Sequence, residues 1–282
     1  MTPDPMVTTQ WLEDHLDAPD VRIIDASWFL PDAERDPKAE YAMLHIPGAV
    51  FFDIDEIRDE SSPLPHMLPS PVKFASRVRK MGLGDGSRMV VYDSQGIFSA
   101  PRVWWMIRAM GHEEVFVLDG GLPKWVAEGR VTEDLARHPQ ERHFTPRMSY
   151  DLIRDHRQMS AILAGQKEQV LDARPAGRFE GSSPEPRPGL PSGHMPGARN
   201  LPWSNVIAPD GTLKSVADLT SIFEGAGVDI NRPVVTTCGS GVTAAILALA
   251  LARVGRPRTG VYDGSWAEWG SRPEAMIATG PA

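Results

Sequence analysis

Four landmarks occur twice in this chain, in the same order. Val21-Arg-Ile-Ile-Asp25-Ala returns as Gln169-Val-Leu-Asp172-Ala, and His45-Ile-Pro-Gly-Ala49 returns as His194-Met-Pro-Gly-Ala198. Met89-Val-Val-Tyr-Asp93 is matched by Val234-Val-Thr-Thr-Cys238, and Leu118-Asp-Gly-Gly-Leu-Pro-Lys-Trp125 by Tyr262-Asp-Gly-Ser-Trp-Ala-Glu-Trp269. Repeated order at an offset of roughly 145 to 150 residues signals a tandem duplication. Within each half, short apolar runs such as Val21–Asp25, Met89–Tyr92 and Val115–Leu118 alternate with helical stretches such as Arg102–Met110. That alternation predicts an α/β fold, with two tandem domains that are each a mainly parallel sheet flanked by helices. The polar, Pro-containing segment from Glu133 to Tyr150 lacks periodicity. Domains are therefore expected at 1–135 and 151–282, with a linker at 136–150.

Composition narrows the function. The 282 residues carry a formal net charge of −8, which argues against nucleic acid as the main partner. Met1 to Leu16 contains Asp, Glu and His and no continuous apolar run, so neither a leader nor a spanning helix is expected there, and no membrane partner. A single cysteine allows no internal disulfide, which suits a reducing cytoplasm. No Cys or His spacing resembles a metal site, so neither metal nor cofactor is expected.

That single cysteine, Cys238, falls between a β-branched run, Val234–Thr237, and an Ala/Leu-rich run from Val242 that should stop near Gly255. It stands at a strand-to-helix turn. Gly239 and Gly241 free the turn to adopt unusual backbone angles, so that the N–H groups of Gly239, Ser240, Gly241, Val242 and Thr243 form an anion cradle. Those groups and the helix dipole favour a thiolate over a thiol of ordinary pKa, ~8.5. The bland alternative is a small buried hydrophobe, but a structural cysteine needs no flanking glycines. A phosphatase loop would need an arginine to hold a dianion; the segment from Cys238 to Thr243 is uncharged and Ala244 follows. A cradle this small suits one added sulfur, a persulfide.

Cys238-Gly-Ser-Gly-Val-Thr243 resembles the active-site loop of the mercaptopyruvate sulfurtransferases within the rhodanese superfamily, and the paired His-x-Pro-Gly-Ala and Asp-Gly-Ser-Trp stretches match rhodanese signatures. Thiosulfate sulfurtransferases usually carry basic residues where Gly239 and Ser240 stand, so the loop favours mercaptopyruvate, with thiosulfate the alternative donor and a non-catalytic rhodanese-like binding protein a more distant one. The resemblance implies that Arg178, in Gly-Arg-Phe, and Arg187, in Pro-Glu-Pro-Arg, hold the carboxylate and carbonyl of 3-mercaptopyruvate. It also implies a proton relay of Ser240, His66 and Asp55, although Asp53 lies close to Asp55 and an extended backbone would point both one way. Sulfur would leave to a thiol, a thioredoxin-like protein or cyanide. Asp93 aligns with Cys238 and cannot accept sulfur, so the first domain should be catalytically silent. Arg174, Arg102, His45, His194 and the C-terminal tryptophans are assigned structural roles.

Overall fold

The computed structural model describes residues 4–282 apart from Ala136 and His138, which fall in the expected linker and so leave that part of it outside the described residues. The first half runs β1 (Met6–Val7), α1 (Thr9–Asp14), β2 (Val21–Asp25), α2 (Pro37–Met43), β3 (Val50–Phe51), α3 (Pro71–Lys80), β4 (Arg88–Tyr92), α4 (Ala100–Ala109), β5 (Val115–Leu118) and α5 (Gly121–Ala127). The second runs β6 (Ile153–Arg154), α6 (His156–Gly165), β7 (Gln169–Asp172), α7 (Ala176–Glu180), β8 (Arg199–Asn200), α8 (Val216–Gly225), β9 (Val234–Thr237), α9 (Ala244–Arg253), β10 (Gly260–Tyr262) and α10 (Ser265–Trp269). Both sheets are wholly parallel, ordered β1-β5-β4-β2-β3 and β6-β10-β9-β7-β8. The two orders are the same once each strand is replaced by its repeat partner. The duplication read from the landmarks is a duplication of topology.

Alternate residues of each central strand face opposite sides, which divides the interior into three apolar layers. Val90 and Tyr92 of β4 face an outer layer with Leu12, Ile23 and Trp125, while Met89 and Val91 face inward. Val235 and Tyr262 of the second sheet face an outer layer with Phe179 and Trp266, while Val234 and Val261 face inward. The inner faces of both sheets share one central layer. Helices α4 and α9 fill it, buried on nearly every side; α9 is apolar up to Arg253, while α4 buries Arg102 among its apolar residues. The two halves are thus joined through a common core rather than tethered.

Described residues on either side of Ala136 and His138 are also pinned to the first domain. Glu133 bridges to His45 through both backbone groups, Asp85 N–H donates to the His143 carbonyl, and Phe144 is buried against Phe74.

Candidate active site

In the second sheet the chain leaves β7 toward β8 on one side and β9 toward β10 on the other. The crevice at the C-terminal ends of β7 and β9 is therefore the topological switch point where open parallel sheets bind ligands. Cys238 is the first residue past β9, and Asp172 ends β7 beside it. The thiol is enclosed, with Cys238 2% exposed.

The start of α10 fastens the loop. Trp266 and Ala267 N–H groups donate to the carbonyls of Cys238 and Gly239, both at 2.9 Å. Cys238 N–H donates to Oγ of Ser265 at 3.2 Å, and that hydroxyl donates to the Tyr262 carbonyl at 2.8 Å. With the carbonyls tied back, the N–H groups from Gly239 to Ala244 find no acceptor among the described residues, and none of them bonds to Sγ. They lie at the positive end of α9. A row of unmatched donors there is a seat for an anion beyond the thiol itself. The first domain shows what such a seat holds. Asp93 occupies the equivalent position, and its Oδ2 accepts from Phe98, Ser99 and Ala100 at 2.8–2.9 Å while Oδ1 accepts from Gln95 at 2.9 Å. That cradle carries its own carboxylate.

Gly241 has φ +79, as a tight turn requires, but Gly239 lies outside the left-handed region, contrary to the expectation that both glycines serve backbone freedom. Gly239 instead makes room. A Cβ there would stand 3.0 Å from Nη2 of Arg178 and 3.8 Å from Nη1 of Arg187, so both guanidiniums reach over the cysteine loop. Arg178 is oriented by Glu185, whose Oε1 it meets at 3.1 Å through Nε, and Glu185 is fixed from behind by Arg174 at 2.8 Å. Arg174 is itself buried, paired with Asp172 at 2.6 Å and stacked over Trp266. Arg187 is half-buried and has no carboxylate or hydrogen-bond partner among the described residues. Burial depresses its basicity, which its closeness to Cys238, Glu185 and Asp55 partly offsets.

His66 and Asp55 approach from the first domain. Nδ1 of His66 lies 3.0 Å from Oδ1 of Asp55, a close polar contact not aligned as a linear hydrogen bond. Trp28 Nε1 donates to the other carboxylate oxygen at 2.8 Å, and its ring meets the imidazole edge-on. His66 is 5% exposed, so burial holds its pKa below the ordinary imidazole value despite Asp55, while the contact with His66 lowers that of Asp55. Asp53 is turned elsewhere. Its Oδ1 accepts the N–H groups of Asp55 and Glu56, and Oδ2 lies 2.9 Å from Lys38. The backbone there is a turn closed by Ile57 N–H on the Asp53 carbonyl, not the extended run expected, so the two aspartates point apart. A cavity of about 440 Å³ lined by Trp28, Phe29, Asp55, Pro65, His66 and Arg187 opens beside this group; Cys238 is not among its lining residues.

Ser240, Val242 and Thr243 complete the loop. Ser240 is buried, and its hydroxyl bonds to no described residue. His45 and His194 brace equivalent turns, with Nδ1 on the Tyr41 carbonyl at 2.7 Å and on the Phe179 carbonyl at 2.9 Å. Ser265 escaped the sequence reading, yet it carries a signal. It stands where the first repeat has Gly121, and both residues have positive φ, so a serine there bears strain that its two hydrogen bonds offset.

A cysteine at the strand–helix turn of the second of two duplicated α/β domains defines a class. The description of a rhodanese-like domain matches residues 8–128 and again 155–272, and the chain belongs to the rhodanese family. It is 44% identical over 274 residues to the 3-mercaptopyruvate sulfurtransferase of Escherichia coli K12, covering 96% of each chain. It is also 43% identical over 270 residues to the thiosulfate sulfurtransferase of Gallus gallus, covering 94% of this chain and 92% of that one. The crystal structure of SseA from Escherichia coli, a 3-mercaptopyruvate sulfotransferase, superposes with a TM-score of 0.86 at 41% identity, covering 94% and 99%.

Proposed function

We propose that this chain is a sulfurtransferase that takes sulfur from 3-mercaptopyruvate onto Cys238 and passes it to a thiol. The observation that carries the reading is Arg187, a half-buried guanidinium without a carboxylate partner, beside Arg178 above an uncharged cysteine loop. Two such forks suit a carboxylate flanked by a carbonyl. Relatives of nearly equal identity use different donors by name, so overall similarity does not choose between them. The uncharged Gly239-Ser240 pair favours mercaptopyruvate over the more highly charged thiosulfate.

The Cys238 thiolate attacks the donor's thiol sulfur, an S–S bond forms, and the C–S bond breaks with its electron pair leaving on the pyruvate enolate. The donor's S–H proton is removed and one proton is returned to the enolate carbon, giving pyruvate and a persulfide anion on Cys238. Arg178 and Arg187 orient the keto acid and stabilise charge on its oxygen. The row of N–H groups from Gly239 to Thr243 receives the outer sulfur. His66, kept neutral by burial and oriented by Asp55, handles the protons together with Ser240. An acceptor thiolate, thioredoxin-like protein or cyanide then attacks the outer sulfur and regenerates the Cys238 thiolate. The domains take the limits 1–135 and 151–282 with 136–150 joining them, the first silent because Asp93 fills its cradle. A thiol that must stay reduced suits the cytoplasm; among the described residues no helix is long and apolar enough to cross a membrane.

The test supplies mercaptopyruvate or thiosulfate and follows pyruvate, thiocyanate and intact mass. One added sulfur and fast pyruvate release are expected, both lost in Cys238→Ser. Faster turnover with thiosulfate would overturn the donor assignment, and no added sulfur with either would leave a non-catalytic binding protein.

A further inference from the structure

The two domains hold each other through a clasp that occurs twice. Asp119 and Asp263 are repeat partners, each one residue past the fifth strand of its own domain. Asp119 Oδ1 accepts the N–H of Leu213 across the interface at 2.8 Å, and Asp263 Oδ2 accepts the N–H of Leu68 at 2.7 Å. Each carboxylate also meets an arginine of the opposite domain. At Asp119 the partner is Arg253, 3.6 Å away, with side chains 16% and 18% exposed. At Asp263 it is Arg102, 2.7 Å away, with side chains 5% and 0% exposed.

At the first clasp Arg253 also donates to the carbonyls of Leu213 and Lys214 in its own domain and meets Asp4, whereas only the second clasp reaches the cysteine loop. Arg102 Nη2 also donates to the carbonyl of His66, and Nη1 donates to the carbonyl of Gly241 at 3.3 Å. The guanidinium is held flat near the Trp105 ring, 4.5 Å from its centroid. One buried cation thus joins the backbone of the imidazole residue, the backbone of the cysteine loop and a carboxylate of the catalytic domain. Both joined residues have left-handed backbones, His66 at φ +58 and Gly241 at φ +79, and a histidine keeps such a conformation only where its surroundings impose it. A Cβ on Gly241 would stand 2.8 Å from Arg102 Nη1, so the loop is fitted to the guanidinium.

We propose that Arg102 and Asp263 are a positioning pair: they fix where His66 of the first domain stands relative to the sulfur cradle of the second, and so set the rate of sulfur transfer without touching substrate. The proposal rests on the reading of Cys238 and His66 above. It accounts for the asymmetry of two otherwise equivalent clasps. The charged groups around His66 are Asp55 on its own domain, Arg102 on α4, Arg187 on the loop after α7, and Asp263 behind Arg102.

The test compares Arg102→Lys, Arg102→Met and Asp263→Asn with Asp119→Asn and Arg253→Met, the same surgery at the other clasp. Pre-steady-state persulfide formation, KM for mercaptopyruvate, pH profile and melting temperature are measured for each. Displacement of a reacting group by about 1 Å costs on the order of 100-fold in rate, so a kcat loss of ~10- to 100-fold is expected at Arg102 and Asp263, with KM within about twofold. The Asp119 and Arg253 variants should melt earlier with parental kcat. Removing the Arg102 charge should move the acid limb of kcat/KM to higher pH, and Asp263→Asn should move it lower; a packing defect moves neither. In a His66→Ala background the Arg102 effect should vanish. Should Arg102→Met fail to fold, Arg102→Lys and Asp263→Asn carry the comparison. Equal kcat losses at both clasps, or an Arg102 loss undiminished without His66, overturns the proposal alone. Parental kcat in His66→Ala itself removes the relay and the proposal with it.

Discussion

The two glycines of the cysteine loop offer a sharp comparison, because replacing each with alanine adds the same methyl group to opposite effect. At Gly241 the backbone has φ +79, where a non-glycine residue costs about 1–2 kcal/mol. The new Cβ would also lie 2.9 Å from the Asp263 carbonyl and 2.8 Å from Arg102. Neither neighbour is free to yield, and overpacking of that kind costs about 1–3 kcal/mol more. The sum, ~2–5 kcal/mol, corresponds to a melting temperature lowered by on the order of 5–15 °C. The N–H groups on either side of Gly241 would shift with it, and a kcat loss near ~100-fold is expected for a displacement of that size. At Gly239 the backbone suits any residue, and restricting the unfolded chain adds about 0.4–1 kcal/mol of stability. Its methyl crowds the tip of Arg178 at 3.0 Å, which can move aside, and lies at ordinary contact distance, 3.8 Å, from Arg187. Gly239→Ala should therefore melt at or above the parent while raising KM for mercaptopyruvate a few-fold. Thermal melts and initial rates of pyruvate release separate the two. Gly241→Ala with parental kcat and melting temperature, or Gly239→Ala destabilised as much as Gly241→Ala, would refute the fit between loop, Arg102 and Arg178 on which this reasoning stands.

Arg187→Ala removes a charged fork worth ~1.5–3 kcal/mol, so KM should rise ~10- to 100-fold with an unchanged melting temperature, because no protein group loses a partner. Arg178→Ala should also melt earlier, since it strips one of the two guanidiniums from Glu185. Burial favours neutral His66, so the acid limb of kcat/KM should lie below the ordinary imidazole value of 6.5. Asp55→Asn, which removes the charge that favours the imidazolium, should lower it further; a limb at or above 6.5 in the parent contradicts the assignment. Asp93→Ala leaves the N–H groups of Gln95, Phe98, Ser99 and Ala100 unmatched and should cost ~3 kcal/mol in denaturant melts without changing kcat, and Asp93→Cys should gain no sulfur.

What could be read in the chain was local or periodic. The repeated landmarks carried the parallel topology and the equivalence of Asp93 with Cys238, because strand and turn chemistry is written in neighbouring residues. Cys238, Arg178 and Arg187 were legible as motifs. Asp55 was separable from Asp53 only after the backbone between Asp53 and Ile57 proved to be a turn. The sequence assigns Arg102 a structural role and no more, because its partner lies 161 positions away and its two carbonyl contacts belong to different domains, none of which leaves a mark in sequence spacing. Ser265 was hidden among residues that merely fill space, although the exchange of Gly121 for serine at a left-handed position marks it once the halves are aligned. The purpose of Gly239 was misread because a missing side chain records equally a bend and a vacated volume.

The first half fills its turn with a carboxylate of its own, whereas on the function proposed here the second takes the group that fills its turn from the donor. Between turnovers the enzyme waits with donors unfulfilled, and loading a sulfur atom completes it. The persulfide form should accordingly resist heat and proteolysis better than the resting form, because its outer sulfur stays covalently attached on unfolding but meets the row of N–H donors only in the folded chain. Delivery of sulfur to an acceptor then returns the protein to its less settled condition, ready for the next donor.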